Sequence, residues 1–395
     1  VSEQEEASVG EESHIWEFDC ASMRWMTEPL SRRGLLQLGA GATLGLGVLG
    51  ALAGCGGGSS STGTTGGGGG GGGKPGEGKT IALSLNGFNT FDRNLAEGCL
   101  KELQGTAYTF IGANALFDAT KEVANIKQLV ARQPDGLIVL AASADGAARA
   151  CVQAKQAGIP VVASLWNPIS KEADSVYYAA LRLKPGVGGP LVVDFIAKDQ
   201  GITSGKILEI VGLDAQPFSE GYKAEIRDAL KQYPGLTIAA SQQGLYTAQG
   251  AVKVLRPMLA AHPDAKVIID YAAEMGNAIA LELKRQKISN MLHLTSDGND
   301  RTIPLLSLND GAYLKANRWY SAAQQGIVAT RILRNKIEKD AGPTQNIALE
   351  GWDVEPNTSD PIVVNTRQTI QTAKNATGLP PFGYPQFDDQ ITFGG

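Results

Sequence analysis

From residue 81 to residue 336, short apolar runs alternate with segments of helical period, and this alternation decides what the chain can fold into. Strand-like runs lie at 81–85, 108–111, 136–140 and 161–165. Between them, 92–103, 121–133 and 146–157 read as helices; in the second, Val123, Ile126, Leu129 and Val130 share one face. The rhythm then restarts. A helical run at 191–197 leads into strands at 206–211, 236–240, 266–270 and 293–295, with helices at 220–232, 248–261 and 277–284 between them. A last strand ends at Trp319 and Tyr320, and a helix covers 321–336. Successive parallel strands need a helical crossover, so this pattern builds parallel sheets with helices on both faces. Two rounds of it predict an α/β fold of two doubly wound lobes. Such sheets bind ligands just beyond the carboxyl ends of their strands, so two facing lobes would line one interlobe cleft.

The chain ahead of this body reads as an address. Ser31-Arg32-Arg33-Gly34-Leu35-Leu36 has the form of a twin-arginine export signal, and a Gly-diluted apolar stretch follows to Leu52. Leu52-Ala53-Gly54-Cys55 then has the form of a lipobox, with Cys55 as the lipidation residue. Residues 26–54 are therefore expected to be a cleaved lipoprotein signal, placing the rest outside the cytoplasm on a lipid anchor. Residues 1–25 carry Glu3, Glu5, Glu6, Glu11, Glu12, Glu17 and Asp19 against a lone Arg24, the opposite of a basic signal start. They are expected to be a mis-annotated leader outside any core. Residues 55–79 are Gly- and Ser-rich and cannot bury a core; 24 such residues reach roughly 27 Å as a flexible tether.

Charge and reactive residues exclude much. The net charge of −5 gives no footprint for nucleic acid. His14, His262 and His293 share no metal-ligand spacing with each other or with a Cys, so no metal, cofactor or catalytic residue is expected. Cys99 and Cys151 fall on the first and third helices, which pack on opposite faces of a doubly wound sheet and are too far apart to bridge. Gly186-Val187-Gly188-Gly189-Pro190 lacks the Lys-Ser/Thr of a phosphate loop and reads as a turn between lobes.

Polar and aromatic residues recur just past strand ends. Asn86, Asn89, Phe91 and Asp92 follow the first strand, and Trp166 the fourth. Phe218, Tyr246 and Asp297 follow strands of the second round, and Tyr320 ends the last. Ring faces with Asn and Asp edges suit a sugar: its C–H face packs on an aromatic ring while its hydroxyls bond carboxylates and amides.

Several segments, in their order, resemble the type 1 periplasmic solute-binding proteins of the ribose-binding kind, from sugar ABC importers. They are Ile81-Ala82-Leu83 with Asn89-Thr90-Phe91, Gln133-Pro134-Asp135-Gly136, Ala157-Gly158-Ile159-Pro160, Glu220-Gly221-Tyr222, Glu274-Met275 and Ser296-Asp297-Gly298. The resemblance implies that Asn86, Asn89, Phe91 and Asp92 form a first-strand binding cluster. It implies that Tyr246 stacks on the ligand, that Asp297 takes sugar hydroxyls, and that Tyr320 stands where the family often has an amide. Three positions depart from the family: Leu165-Trp166 replaces an Asp-Arg, Phe218 an Arg, and Ala272 an Asn. These changes favour a less polar polyol, a deoxysugar or glycoside, or a nucleoside-like ligand over a free pentose.

The resemblance further implies three lobe crossings, expected near Arg182, Tyr320 and Gln345. One lobe would then hold 79–182 plus 321–345, and the other 183–320 plus 346–395 with a tail. The implied activity is non-enzymatic: a monomeric receptor closing on its solute and delivering it to an ABC permease and ATPase. A ligand sensor for a membrane signalling protein, or an exported hydrolase using Asp92 or Asp297, are the alternatives.

Overall fold

Among the described residues, eight strands form one sheet and six another, and the carboxyl ends of their parallel strands face each other. The computed structural model describes residues 15–20, 75–214, 216–338, 344–345, 347, 349–356, 358 and 361–387. The proposed signal, Cys55 and the Gly-rich run lie outside the described residues. Along the chain, β1 (Trp16–Asp19) precedes β2 (Thr80–Leu85), α1 (Thr90–Leu103), β3 (Thr109–Asn114), α2 (Ala119–Ala131), β4 (Gly136–Leu140) and α3 (Ala144–Gln156). Next come β5 (Val161–Ser164), the single turn α4 (Lys171–Asp174) and β6 (Ala179–Leu183). The second round runs α5 (Gly188–Asp194), β7 (Ser204–Val211), α6 (Pro217–Leu230), β8 (Gly235–Gln243), α7 (Ala248–Ala261), β9 (Ala265–Asp270) and α8 (Ala273–Gln286). It continues with β10 (Leu292–Asp297), α9 (Thr302–Ser307), β11 (Ala316–Trp319) and α10 (Ala322–Glu338). Three short strands close the chain: β12 (Asp353–Val354), β13 (Ile362–Thr366) and β14 (Thr369–Gln371).

The first sheet is ordered β1-β3-β2-β4-β5-β6-β13-β12 and the second β14-β11-β10-β9-β7-β8. All pairs are parallel except those of the edge strands β1, β12 and β14. Every residue of β4 and β5 is buried, as expected of strands covered by helices on both faces. On one face of the first sheet, α1 and α10 touch backbone to backbone: a Cβ on Gly98 would lie 2.0 Å from the Ala323 carbonyl oxygen, and one on Gly326 2.1 Å from that of Leu95. Only glycine permits this approach. Cys99 packs in that face's core with Leu95 and Leu100, whereas Cys151 packs in the opposite face's core with Ile126 and Val161. Both thiols are free and buried.

Two expectations change. Residues 16–20 are not outside the core. β1 pairs antiparallel with β3, Cys20 is fully buried, and the Trp16 ring lies where a Cβ on Gly112 would sit. The acidic count hid an alternation, Trp16, Phe18, Cys20, that puts one face of a strand on the core. The third crossing is also not at Gln345. The apolar run Ile362-Val363-Val364 forms a buried strand parallel to β6, so β12 and β13 belong to the first lobe. The chain crosses between Thr366 and Thr369 instead, after crossings at 184–187 and at Tyr320–Ser321. The tail then returns: Ser321 Oγ donates to the Pro381 carbonyl at 3.1 Å, the Tyr384 N–H donates to Glu97, and Phe387 is buried in the first lobe's core.

The Gly186–Pro190 segment is the first crossing. The Gly186 and Gly189 N–H groups both donate to the Glu225 carboxylate at 3.0 Å, so the donors a phosphate would need are already used. Among the described residues, no helix is long and apolar enough to cross a membrane and no cluster of His, Cys, Asp and Glu is set to hold a metal ion.

Candidate ligand-binding cleft

A cavity lies between the lobes at the strand ends, with about 530 Å³ of space including the part open to solvent. Eight of the nine residues singled out from the sequence line it: Asn86, Asn89, Phe91, Asp92, Phe218, Tyr246, Asp297 and Tyr320. The ninth, Trp166, lines an adjoining cavity of about 460 Å³, likewise counted out to solvent.

The first-lobe wall is set by the start of α1. Asn89 caps the helix: its side chain accepts from the Asp92 N–H at 3.1 Å, and Asp92 accepts in return from the Asn89 N–H at 3.2 Å. This capping box satisfies two end groups of the helix and fixes both side chains at the cleft. Asp92 also accepts from the Gly87 N–H at 3.2 Å. It is fully buried, and burial pushes its carboxyl up to about 7, further helped by the Glu274 charge and opposed by the backbone donors. Nearby on the same lobe, burial likewise raises Glu122 to about 7.

A pH dependence follows from these raised values. The fold favours the protonated acid, so the stability each group contributes is full below about 3.8 for Asp92 and 4.5 for Glu122, and is lost as pH rises through about 7. The melting temperature should therefore fall from pH 5 to pH 8. Asp92→Asn should flatten that decline and leave the part due to Glu122 and the other buried acids, Asp270 and Asp297. Thermal scans across this range check it; an equal slope in both proteins would contradict it.

The second-lobe wall comes from the ends of β8, β9 and β10. Asp297 ends β10 with φ +60° and is buried. Its Oδ1 accepts from the Ala273 N–H at 2.8 Å and from the Gly298 N–H. Burial holds its carboxyl well above the usual carboxylate range, with Asp270 and Glu274 adding like charge. Tyr246 is buried, with its hydroxyl 2.7 Å from Ser219 Oγ.

Phe91, Phe218 and Tyr320 form an aromatic wall; the Tyr320 ring lies 6.0 Å from Phe91 and 6.1 Å from Phe218. Behind it sits a residue the sequence reading missed. The Arg318 guanidinium lies 3.8 Å from the Tyr222 ring centroid and 5.2 Å from that of Tyr320. It donates twice to Gln368, at 3.1 and 2.8 Å. Gly188 makes room for it, since a Cβ there would lie 2.6 Å from Arg318 Cζ. Arg318 thus supplies a guanidinium behind the rings.

Among the described residues, contacts that join the lobes at the cleft include two that were not read from the sequence. Thr90 donates to Glu274 Oε1 through both its N–H, at 2.8 Å, and its hydroxyl, at 2.6 Å. Phe117 and Tyr246 stack across the gap, centroids 5.9 Å apart and planes 19° apart. Leu116 and Phe117 have φ of +53° and +63°, and Leu245 and Tyr246 of +58° and +54°. Each lobe thus uses a pair of left-handed residues to turn one ring inward and leave one Leu exposed. The sequence signal available for Phe117 was its place just past β3, at a strand end where no candidate was named.

The periplasmic binding protein domain family matches residues 81–341. The ribose import binding protein of Escherichia coli is 26% identical over 224 residues, 55% of this chain and 72% of that protein. A solute-binding protein from Burkholderia graminis, solved with D-arabinose, superposes with a TM-score of 0.63 at 20% identity over 77% of this chain and 98% of the other. One from Actinobacillus succinogenes, solved with D-allose, gives 0.65 at 17% identity over 76% and 100%. At these identities the solved structures support the fold: two α/β lobes of the type 1 arrangement.

Proposed function

The chain belongs to the periplasmic binding protein family, and from that premise we propose that it captures a small sugar-like solute for an ABC importer. The solute binds between the lobes, the lobes close on it, and a permease with its ATPase receives it. The chain acts as a monomer tethered outside the cytoplasm through lipid on Cys55, after twin-arginine export. The observation that carries this reading is the cleft itself. It stands at the carboxyl ends of both parallel sheets, walled by Phe91, Phe218 and Tyr320 and edged by acceptors including Asp297. Relatives named for ribose import, and neighbours solved with bound sugars, support the solute class.

In this reading Asp297 accepts ligand hydroxyls, the aromatic wall packs on C–H faces, and Thr90–Glu274 with Phe117–Tyr246 hold the closed state. A thermal-shift screen against pentoses, hexoses, polyols, glycosides and nucleosides tests it, because a ligand of the folded state raises its melting temperature. A saturable rise with at least one of these is expected, and none across the set would overturn it. A labelled fatty acid should be incorporated into the parent protein and not into Cys55→Ser. No label in the parent, or label in both, would remove the lipid on Cys55 from the account.

A further inference from the structure

We propose that the ligand is a glycoside, a neutral sugar carrying a planar, uncharged aglycone, with the sugar in the chamber of Asp92 and Asp297 and the aglycone in the chamber of Trp166. This rests on the solute-capture reading above and narrows it.

The two cavities are one divided space. They share Asn86, Leu165, Gln216 and Phe218, which form a waist between them. The chambers differ in chemistry. The first is lined by three carboxylates, Asp92, Glu274 and Asp297. No charged residue lines the second among the described residues; beyond the waist, Val139, Leu140, Ala141, Ala144, Ala163, Ile169 and Trp166 outnumber the polar Ser164, Asn167 and Tyr177. A free pentose or hexose, hydroxylated all round, suits the first chamber better. Hydroxyls facing the apolar part of the second would lose their hydrogen bonds to water.

Trp166 is set to present a ring face there. Its indole N–H is already donated to Asp174 at 3.0 Å, which fixes the ring and leaves it no polar role toward a ligand. The Arg182 guanidinium lies 5.7 Å from its centroid. The residue before it, Leu165, has φ +47°, a strained conformation for Leu, and its N–H is pinned to Gln325 at 3.2 Å.

At the waist, Asn86 Oδ1 and Gln216 Oε1 are buried acceptors with no hydrogen-bond partner, in side chains more than nine-tenths buried. Asn86 Nδ2 points to the Ala141 carbonyl at 3.4 Å, which orients the amide with Oδ1 as the free acceptor. These oxygens call for a donor, which the sugar hydroxyl next to the glycosidic linkage supplies. No Lys, Arg or His lines either chamber among the described residues, so a phosphate or carboxylate on the ligand would lie beside three acidic side chains with no cation to balance it.

Calorimetry on the full chain tests this with matched series. The first two are D-galactose and D-glucose, each with its methyl and phenyl β-glycosides. The third is D-ribose with uridine, adenosine and uridine monophosphate. In at least one series the aromatic member should bind about 30-fold more tightly than the free sugar and, in the hexose series, the methyl glycoside, the scale of burying one ring. The phenyl and nucleoside arms distinguish an aryl from a nucleobase aglycone. Uridine monophosphate should bind at least tenfold more weakly than uridine, if uridine binds. Ala144→Leu, which fills the second chamber, should remove at least tenfold of the aromatic advantage. Free sugars or methyl glycosides binding as tightly as the aromatic members in every series would overturn the inference and leave the solute-capture reading standing. So would a phosphate that improves binding. No binding by any member would overturn the inference, and the solute-capture reading falls with it only if the wider thermal-shift screen is also silent.

Discussion

Asp297→Ala should weaken binding of the tightest sugar-like ligand by about 30- to 150-fold, the effect of about 2–3 kcal/mol lost with a hydrogen-bonded carboxylate. The side chain sits at the carboxyl end of β10, within the cavity, and its Oδ1 gathers the N–H groups of Ala273 and Gly298. Those two donors fix the carboxylate and aim it at the cleft, so a ligand hydroxyl meets an acceptor already in place. Because burial and the neighbouring Asp270 and Glu274 charges favour the protonated acid, ligand donors should draw the group toward its ionised form. Titration calorimetry of both proteins checks the value. Affinity within threefold of the parent would remove Asp297 from the binding site.

Arg227→Met should lower stability by about 3 kcal/mol, near the low end for breaking a buried ion pair because Arg227 itself reaches solvent. Its partner Glu209 is fully buried in β7 and accepts from both Arg227 terminal nitrogens, at 2.9 and 2.8 Å. Ser241 Oγ at 2.6 Å and the Tyr271 hydroxyl at 2.7 Å complete the cluster. Burial alone would raise this carboxyl; the four donors together turn the shift downward, so the group is held ionised and needs its cation. In a domain of this size the loss corresponds to a fall in melting temperature of roughly 6–12 °C. A change under 2 °C would show that water or Ser241 and Tyr271 suffice. Tyr271 lines the cleft, so the same variant should also weaken binding, through position and not direct contact.

The central architecture was legible because its signals are local. Runs such as Gly136–Leu140 and the facing period of Val123, Ile126, Leu129 and Val130 announce buried parallel strands and covering helices. The strand-end rule then located Asn86, Phe91, Asp92 and Asp297 without any knowledge of packing. What escaped depends on distant partners. β6 offers only Ala179-Ala180-Leu181 as an apolar run, and β13 completes its pairing from more than 170 residues away. Trp16 and Phe18 were masked by the acids around them. Glu274 opens a helix and shows its role only through Thr90 on the other lobe. Phe117 points inward through a left-handed backbone that no residue type in Leu116-Phe117 advertises. Arg318 lies inside the last strand, where a strand-end rule does not look, and its aromatic cage is assembled from Tyr222 and Tyr320, nearly a hundred residues apart in the chain.

Titration calorimetry of the parent protein with the best ligand from the sugar, glycoside and nucleoside set is the most direct test of the account. One saturable site per chain is predicted, with a negative heat-capacity change from burying the ligand against Phe91, Phe218 and Tyr320. No saturable heat from any member of the set, or more than one site per chain, would contradict a single interlobe cleft as the place of capture.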